Sequence, residues 1–301
     1  MKRAVSISIG SSKRNKAVEI TLLGEKISIE RIGTDGDMEA AALKYQELDG
    51  SVDAFGVGGA DLGALVGEKW YPFHSVQPMV RYVKKTPLVD GVGLKNTLEN
   101  KSAAFLDAKI KDYITEKGRK ALIPVGIDRW GMSTCFPEAG YECTYGDLLF
   151  GIDVPIMLHN TRQIETAAAL LMPLVGRLPF EWVYPTGEKQ EKRAPKGEKW
   201  FHWATVIAGD CHYIKRHMPD ELPGKIIVTN TTTPEDVAFF KQAGIKYLLT
   251  TTPVLDGRSF GTNMMEAALV ALSGKGRPLT REEYSDMLNQ LGFEPQLQQL
   301  N

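Results

Sequence analysis

The chain has 301 residues, 43% of them hydrophobic, which is long enough for two lobes and apolar enough to give each a core. Its 36 Lys and Arg nearly cancel its 37 Asp and Glu, and no stretch has the length and apolarity of a membrane span, so neither nucleic acid nor a bilayer is indicated as partner. A small-molecule partner fits, with a homo-oligomer left open, and a cytoplasmic setting is expected. The opening MKRAVSISIG lacks a secretory signal's hydrophobic region, and Cys135, Cys143 and Cys211 are too few for a disulfide framework.

AVSISIG reads as a strand, and VEITLLGEKISIERIG as a hairpin turning near Leu23-Gly24-Glu25. DMEAAALKYQELDG reads as a helix capped by Asp37 and ended by Gly50, and VDAFGVGG as a further strand. LKNTLENKSAAFLDAKIKDYI has apolar residues at helical spacing and is expected as one long helix bridging into a second lobe. From Arg119 the pattern changes. ALIPVG, YECTYGD, WATVIAGD, KIIVTNTTT and IKYLLTTTP are strand-like, mostly apolar throughout rather than alternating, and helical segments such as TRQIETAAALLMPLVGR, PEDVAFFKQAG and TNMMEAALVALSG lie between and after them. Strands apolar on both sides need both faces covered, as in a parallel sheet.

The expected fold class is α/β with two lobes: a smaller mixed α/β substrate lobe over 1–115 and a doubly wound, Rossmann-like parallel sheet over 116–275. A C-terminal helix and tail over 276–301 is expected to pack back on the first lobe. The mixed-charge stretch GEKQEKRAPKGEK at 187–199 reads either as solvated surface or as a cover over the cleft.

PVGIDRWGMS, between an apolar strand and a helix, is the first candidate site. In a dinucleotide-binding unit, glycines let the backbone approach the pyrophosphate, a helix N-terminus offers free amides, and an acidic residue ending the next strand holds the ribose. Here Gly126 and Gly131 flank Ile127, Asp128, Arg129 and Trp130, and Asp147 stands 21 residues beyond Gly126. Arg129 can pair with a phosphate and Trp130 can stack on a ring, or both can simply pack. A carboxylate at Asp147 favours NAD over NADP, because it repels a 2′-phosphate. Adenosylmethionine-dependent methyltransferases use an acidic residue at the same place, so that class stays open, as does a non-catalytic small-ligand-binding protein.

Ligands of open α/β sheets lie at the carboxyl ends of the strands, which makes Asp210, His212, Asn230, Thr231 and Thr232 further candidates. His212 is the histidine best placed to carry a proton. No metal is expected, since His212 and His217 lie five apart and no paired CxxC or HExxH is present. In the first lobe, Asp61 ends the Gly-rich VDAFGVGGADLG with no P-loop lysine behind it, and either contacts substrate or sits in a plain turn.

Three stretches resemble the shikimate/quinate 5-dehydrogenase family: IGSSK (Ile9 to Lys13), KIIVTNTTTP and GTNMMEAALVALSGKG. The order of a substrate lobe, a nucleotide lobe and a returning helix is similar to that family as well. The resemblance implies hydride transfer between a small hydroxylated, carboxylated substrate and a nicotinamide. It implies substrate carboxylate binding by Ser11, Ser12 and Lys13, and a Lys–Asp pair for proton transfer, whose nearest counterparts are Lys95 and Asp90. A partnered or buried Lys95 with a lowered pKa would accept the hydroxyl proton, with His212 as the alternative carrier.

Overall fold

The structure, a computed structural model, describes residues 1–180, 193–252, 254–255, 258–259 and 261–301; residues 187–192 of the mixed-charge stretch lie outside the described residues. The first lobe begins with β1 (Lys2–Ser8), β2 (Lys16–Leu22) and β3 (Glu25–Gly33). The β2–β3 hairpin turns at Leu23 and Gly24, both at positive φ, as expected. Asp37 caps α1 (Met38–Leu48) through the Ala40 amide. Then come β4 (Ala54–Gly58), the ribbon β5 (Gly63–Val66) and β6 (Lys69–Pro72), the short α2 (Gln77–Val80) and β7 (Leu88–Val89). The sheet order is β2-β3-β1-β4-β7, parallel except for β2.

The long bridging helix expected from periodicity is two helices, α3 (Val92–Glu99) and α4 (Ser102–Lys117). The break separates two tasks. Leu106 and Ile114 of α4 enter the apolar core shared with the second sheet, whereas Glu99 at the end of α3 turns to a buried arginine.

The second sheet contains β8 (Lys120–Ile123), β9 (Glu142–Tyr145), β10 (Val206–Ala208), β11 (Ile226–Thr229) and β12 (Tyr247–Thr250). Their helices are α5 (Trp130–Glu138), α6 (Thr161–Val175), α7 (Glu198–Trp203), α8 (Cys211–His217) and α9 (Pro234–Gln242). The five strands are parallel in the order β9-β8-β10-β11-β12, and most of their side chains are buried, as the uninterrupted apolar runs require. The α/β class and the doubly wound second sheet thus stand.

A small ribbon, β13 (Val254–Leu255) and β14 (Arg258–Ser259), follows. The chain then departs from the expected boundaries. The helix expected to close the second lobe, α10 (Thr262–Ser273), packs on β1 and β4 of the first sheet, with α11 (Arg281–Gln290) against α3. The tail does not stay there: β15 (Gln296–Gln299) pairs antiparallel with β12. Among the described residues, no helix is long and apolar enough to cross a membrane.

The lobes meet at close range where α3 crosses α5. A Cβ on Gly131 would lie 2.9 Å from the carbonyl oxygen of Asn96 and 3.2 Å from the amide nitrogen of Asn100. Both are backbone atoms of or beside α3, so neither can rotate away. Gly131→Ala is expected to force the helices apart and destabilise by about 1–3 kcal/mol. A chemical-denaturation midpoint unchanged from wild type would refute that contact.

Candidate functional site

In each sheet the parallel strands reverse direction of addition about a central strand, between β1 and β4 in the first and between β8 and β10 in the second. Crevices form at the carboxyl ends of the strands flanking such reversals. Asp61 and Asp90 follow β4 and β7, Asp128 and Arg129 follow β8, and Asp210 follows β10. The two carboxyl edges meet at α3, and the side chain that joins them is Lys95.

Lys95 Nζ lies 3.2 Å from each carboxylate oxygen of Asp61 and 3.6 Å from Asp128 Oδ1. Its side chain is 12% exposed, that of Asp61 22% and that of Asp128 29%, so the group is enclosed yet reachable. Burial works against the ammonium charge, but Asp61 and Asp128 outweigh it and hold the Lys95 pKa above its ordinary value. The expectation of a neutral Lys95 acting as base is therefore corrected. The group poised near neutrality is Asp61, pushed up to about 6 by burial, with Asp90 and Asp128 adding to the rise against the pull of Lys95. Asp90 does not pair with Lys95 directly. It is buried and accepts from the Leu62 amide at 2.7 Å and the Val92 amide at 3.1 Å, fixing the start of α3.

Arg129, 4% exposed, is the hub behind this pair. Its Nη1 donates to Glu99 Oε1 at 2.7 Å, its Nη2 to Asp210 Oδ2 at 2.6 Å, and its Nε lies 2.9 Å from Asp128 Oδ2. Asp210 also accepts from the His212 and Tyr213 amides at the head of α8, and from Asn230 Nδ2 at 3.2 Å. Thr231 and Thr252 exchange a hydroxyl hydrogen bond at 2.9 Å, and Thr232 is partly buried beside them. His212 itself is exposed and contributes its backbone amide to the cap. Tyr213, on the next position, faces Asp128 and Asp210, and burial next to these carboxylates pushes its phenol up to about 12.

The turn from β8 to α5 is built differently from a phosphate cradle. Asp147 is 6% exposed and points back into the turn, where Oδ1 accepts from the Ile127 amide at 2.8 Å. Arg129 fills the corner, Gly131 is pressed against α3, and Trp130 packs on the apolar core. The Ile127 amide, the Gly131 Cα face and the Asp147 carboxylate, assigned to a pyrophosphate and ribose, are thus committed to the protein itself. The same geometry removes the argument for adenosylmethionine.

Burial pushes the Asp147 carboxyl up to about 6, and its Oδ2 has no hydrogen-bond partner among the described residues. A folded-state pKa above the unfolded value means that the native protein holds the proton more tightly. Stability from this group is therefore full below about pH 4 and is lost as pH rises through about 6, at a cost of about 3 kcal/mol above that. Asp147→Asn is expected to raise the melting temperature at pH 7.5 and to show a shrinking gain toward pH 4.5. A gain independent of pH would refute this account.

In the first lobe, Ser11 caps the Lys13 amide, Ser12 donates its amide to Asp35 at 2.7 Å, and Lys13 is exposed. The Arg31 guanidinium reaches the Ser11 carbonyl and the Ser8 hydroxyl, both at 3.0 Å. Sequence reasoning placed Lys95, Asp61, Asp128, Arg129 and Asp210 among the candidates, and the structure brings all five together. It missed Glu99, although its place one helical turn after Lys95 puts the two on one face of α3.

No curated protein matches the chain in sequence. Among solved structures it is similar to the malic enzyme of Entamoeba histolytica, at 12% identity and a TM-score of 0.39, over 94% of this chain and 60% of that one. The chain thus spans less than two thirds of that enzyme's length. It is also similar to the NAD-dependent malic enzyme of Thermotoga maritima, at 14% identity and a TM-score of 0.37, over 91% of this chain and 72% of that one. A third is a periplasmic ribose ABC transporter protein from Conexibacter woesei, at 10% identity and a TM-score of 0.36, over 93% and 88%. Residues 3–90 match the family described as Domain of unknown function (DUF8753), and residues 93–300 that described as Domain of unknown function (DUF8754). With more than two thirds of its length inside the second of these matches, the chain belongs to the DUF8754 family.

Proposed function

We propose that the chain is an enzyme that binds a small hydroxylated substrate at the lobe junction and takes a hydroxyl proton there. That is the proton-transfer half of the alcohol–ketone interconversion implied by the sequence resemblance. The observation that carries this reading is the contact of Lys95 Nζ with both oxygens of Asp61 at 3.2 Å, where two sheet edges meet. Asp61, with its carboxyl near pH 6, accepts the proton. Lys95 remains an ammonium group and donates to the substrate oxygen, stabilising the negative charge that grows as the proton leaves. Arg129 keeps Asp128 and Asp210 in place beside them.

Oxidation of the alcohol needs a hydride acceptor, the chemistry that a nicotinamide supplies when bound. In the β8–α5 turn the Ile127 amide is taken by Asp147 and the corner by Arg129, which leaves neither that amide nor the Asp147 carboxylate to hold the cofactor's diphosphate and ribose. This closed turn favours a second reading, a small-ligand-binding protein without turnover.

The test is a turnover assay with NAD over a panel of polyols and hydroxy acids, run beside calorimetric binding without NAD. The rate is expected to rise with pH through about 6, as Asp61 loses its proton, and to collapse in Asp61→Asn. Saturable binding with no turnover across the panel would establish the second reading. Equal rates in wild type and Asp61→Asn would overturn the first.

A further inference from the structure

The charge around the junction bears on what the substrate carries. Five carboxyl groups, Asp61, Asp90, Glu99, Asp128 and Asp210, surround two cations, and both cations are engaged: Lys95 with Asp61 and Asp128, Arg129 with Glu99, Asp128 and Asp210. A substrate carboxylate seated here would face carboxylates first, and would have to strip a cation from partners already held at hydrogen-bond distance. Repulsion of that kind is the means by which sites reject a wrong charge.

A second observation is independent of the first. The Ser11–Ser12 loop, the segment expected to hold a substrate carboxylate, holds one already. Asp35 accepts the Ser12 amide at 2.7 Å, and the Ser12 and Ser11 hydroxyls together with that amide hold its carboxyl below the usual range. Arg31, one of the cations of that edge, donates to the Ser11 carbonyl and the Ser8 hydroxyl, and Lys13 of the loop lies exposed near the Asp35 charge.

The junction does offer what hydroxyl groups need. A hydroxyl both donates and accepts, and the surround presents carboxylate acceptors on Asp61 and Asp128 and the Lys95 donor. We propose that the site takes an uncharged polyol in place of the hydroxy acid implied by the sequence resemblance. This rests on the reading of Lys95 and Asp61 as the functional pair.

The experiment is calorimetric titration of the full chain at pH 7.5 with three matched pairs: myo-inositol and quinate, D-sorbitol and D-gluconate, D-glucose and D-glucuronate. At least one neutral member is expected to bind tenfold or more tightly than its acid, and to lose tenfold or more in Asp61→Asn and in Lys95→Met. An acid that binds more tightly than its neutral partner, with that binding lost in both variants, overturns the substrate class and leaves the junction as the site. Binding indifferent to both variants, or no binding by any of the six, overturns the junction reading and the class with it. The comparison within each pair uses the wild-type chain, so it holds even where a variant folds poorly.

Discussion

Arg129→Met lowers the melting temperature by roughly ten degrees and is the most damaging single change expected at the junction. The guanidinium is 4% exposed and neutralises Glu99, Asp128 and Asp210, which arrive from α3, the β8 turn and the end of β10. Methionine keeps much of the volume, so the loss is electrostatic: the carboxylates stay behind without a counter-charge. Removing one member of a buried ion network costs about 3–5 kcal/mol. In a chain of this size each kcal/mol is worth about 2–4 °C. Glu99 is 1% exposed, and Arg129 outweighs only part of the cost of burying its charge, leaving its pKa raised. Adding Glu99→Gln to Arg129→Met should therefore recover part of the stability, because one orphaned charge disappears. A scanning-calorimetry drop of less than two degrees for the single variant, or no recovery in the double, would show that the network is not what binds the two edges.

Lys95→Met is expected to reduce kcat by about 10²–10³-fold, the usual worth of a donor placed at a developing negative charge. Its effect reaches beyond the missing donor. Without the ammonium, Asp61 faces Asp128 and Asp90 with no compensation, so its pKa climbs further above the already raised value of about 6. The residual activity should accordingly need higher pH, with the rising limb of its pH profile displaced upward. Lys95→Arg restores the charge without the compact geometry, and should restore the pH profile better than the rate. If Lys95→Met leaves both rate and profile unchanged, the pair serves only to join the lobes.

The second sheet was legible because its strands are buried on both faces, which writes an unbroken apolar run into the sequence at β8, β10 and β11. The position of the candidate site was legible for a similar reason, since strand ends can be read wherever strands can. Roles were harder. The Gly126–Gly131 spacing says that the backbone passes close to something, but a neighbouring helix and a pyrophosphate impose the same demand, and here the neighbour is α3. Arg129 gives no local sign that it is buried, because two of its three carboxylate partners lie 30 and 81 residues away. Asp147 has the right offset but points inward. The destination of α10 was hidden too. Its residues from Met264 to Ala271 are all buried, so its apolarity announces a covered helix without naming the sheet that covers it. The final strand, Gln296–Gln299, is mostly polar and joins the sheet at an edge, where no apolar pattern is needed.

The placement of α10 and α11 on the first lobe constrains how the chain can mature during synthesis. The face of the first sheet that buries Ala4 and Ala54 shares its apolar cluster with Met264, Ala268 and Leu288. Those residues leave the ribosome only after the five parallel strands of the second sheet have been made. The first sheet must therefore wait with an uncovered apolar face while its neighbour forms, and its completion depends on a segment translated after those strands.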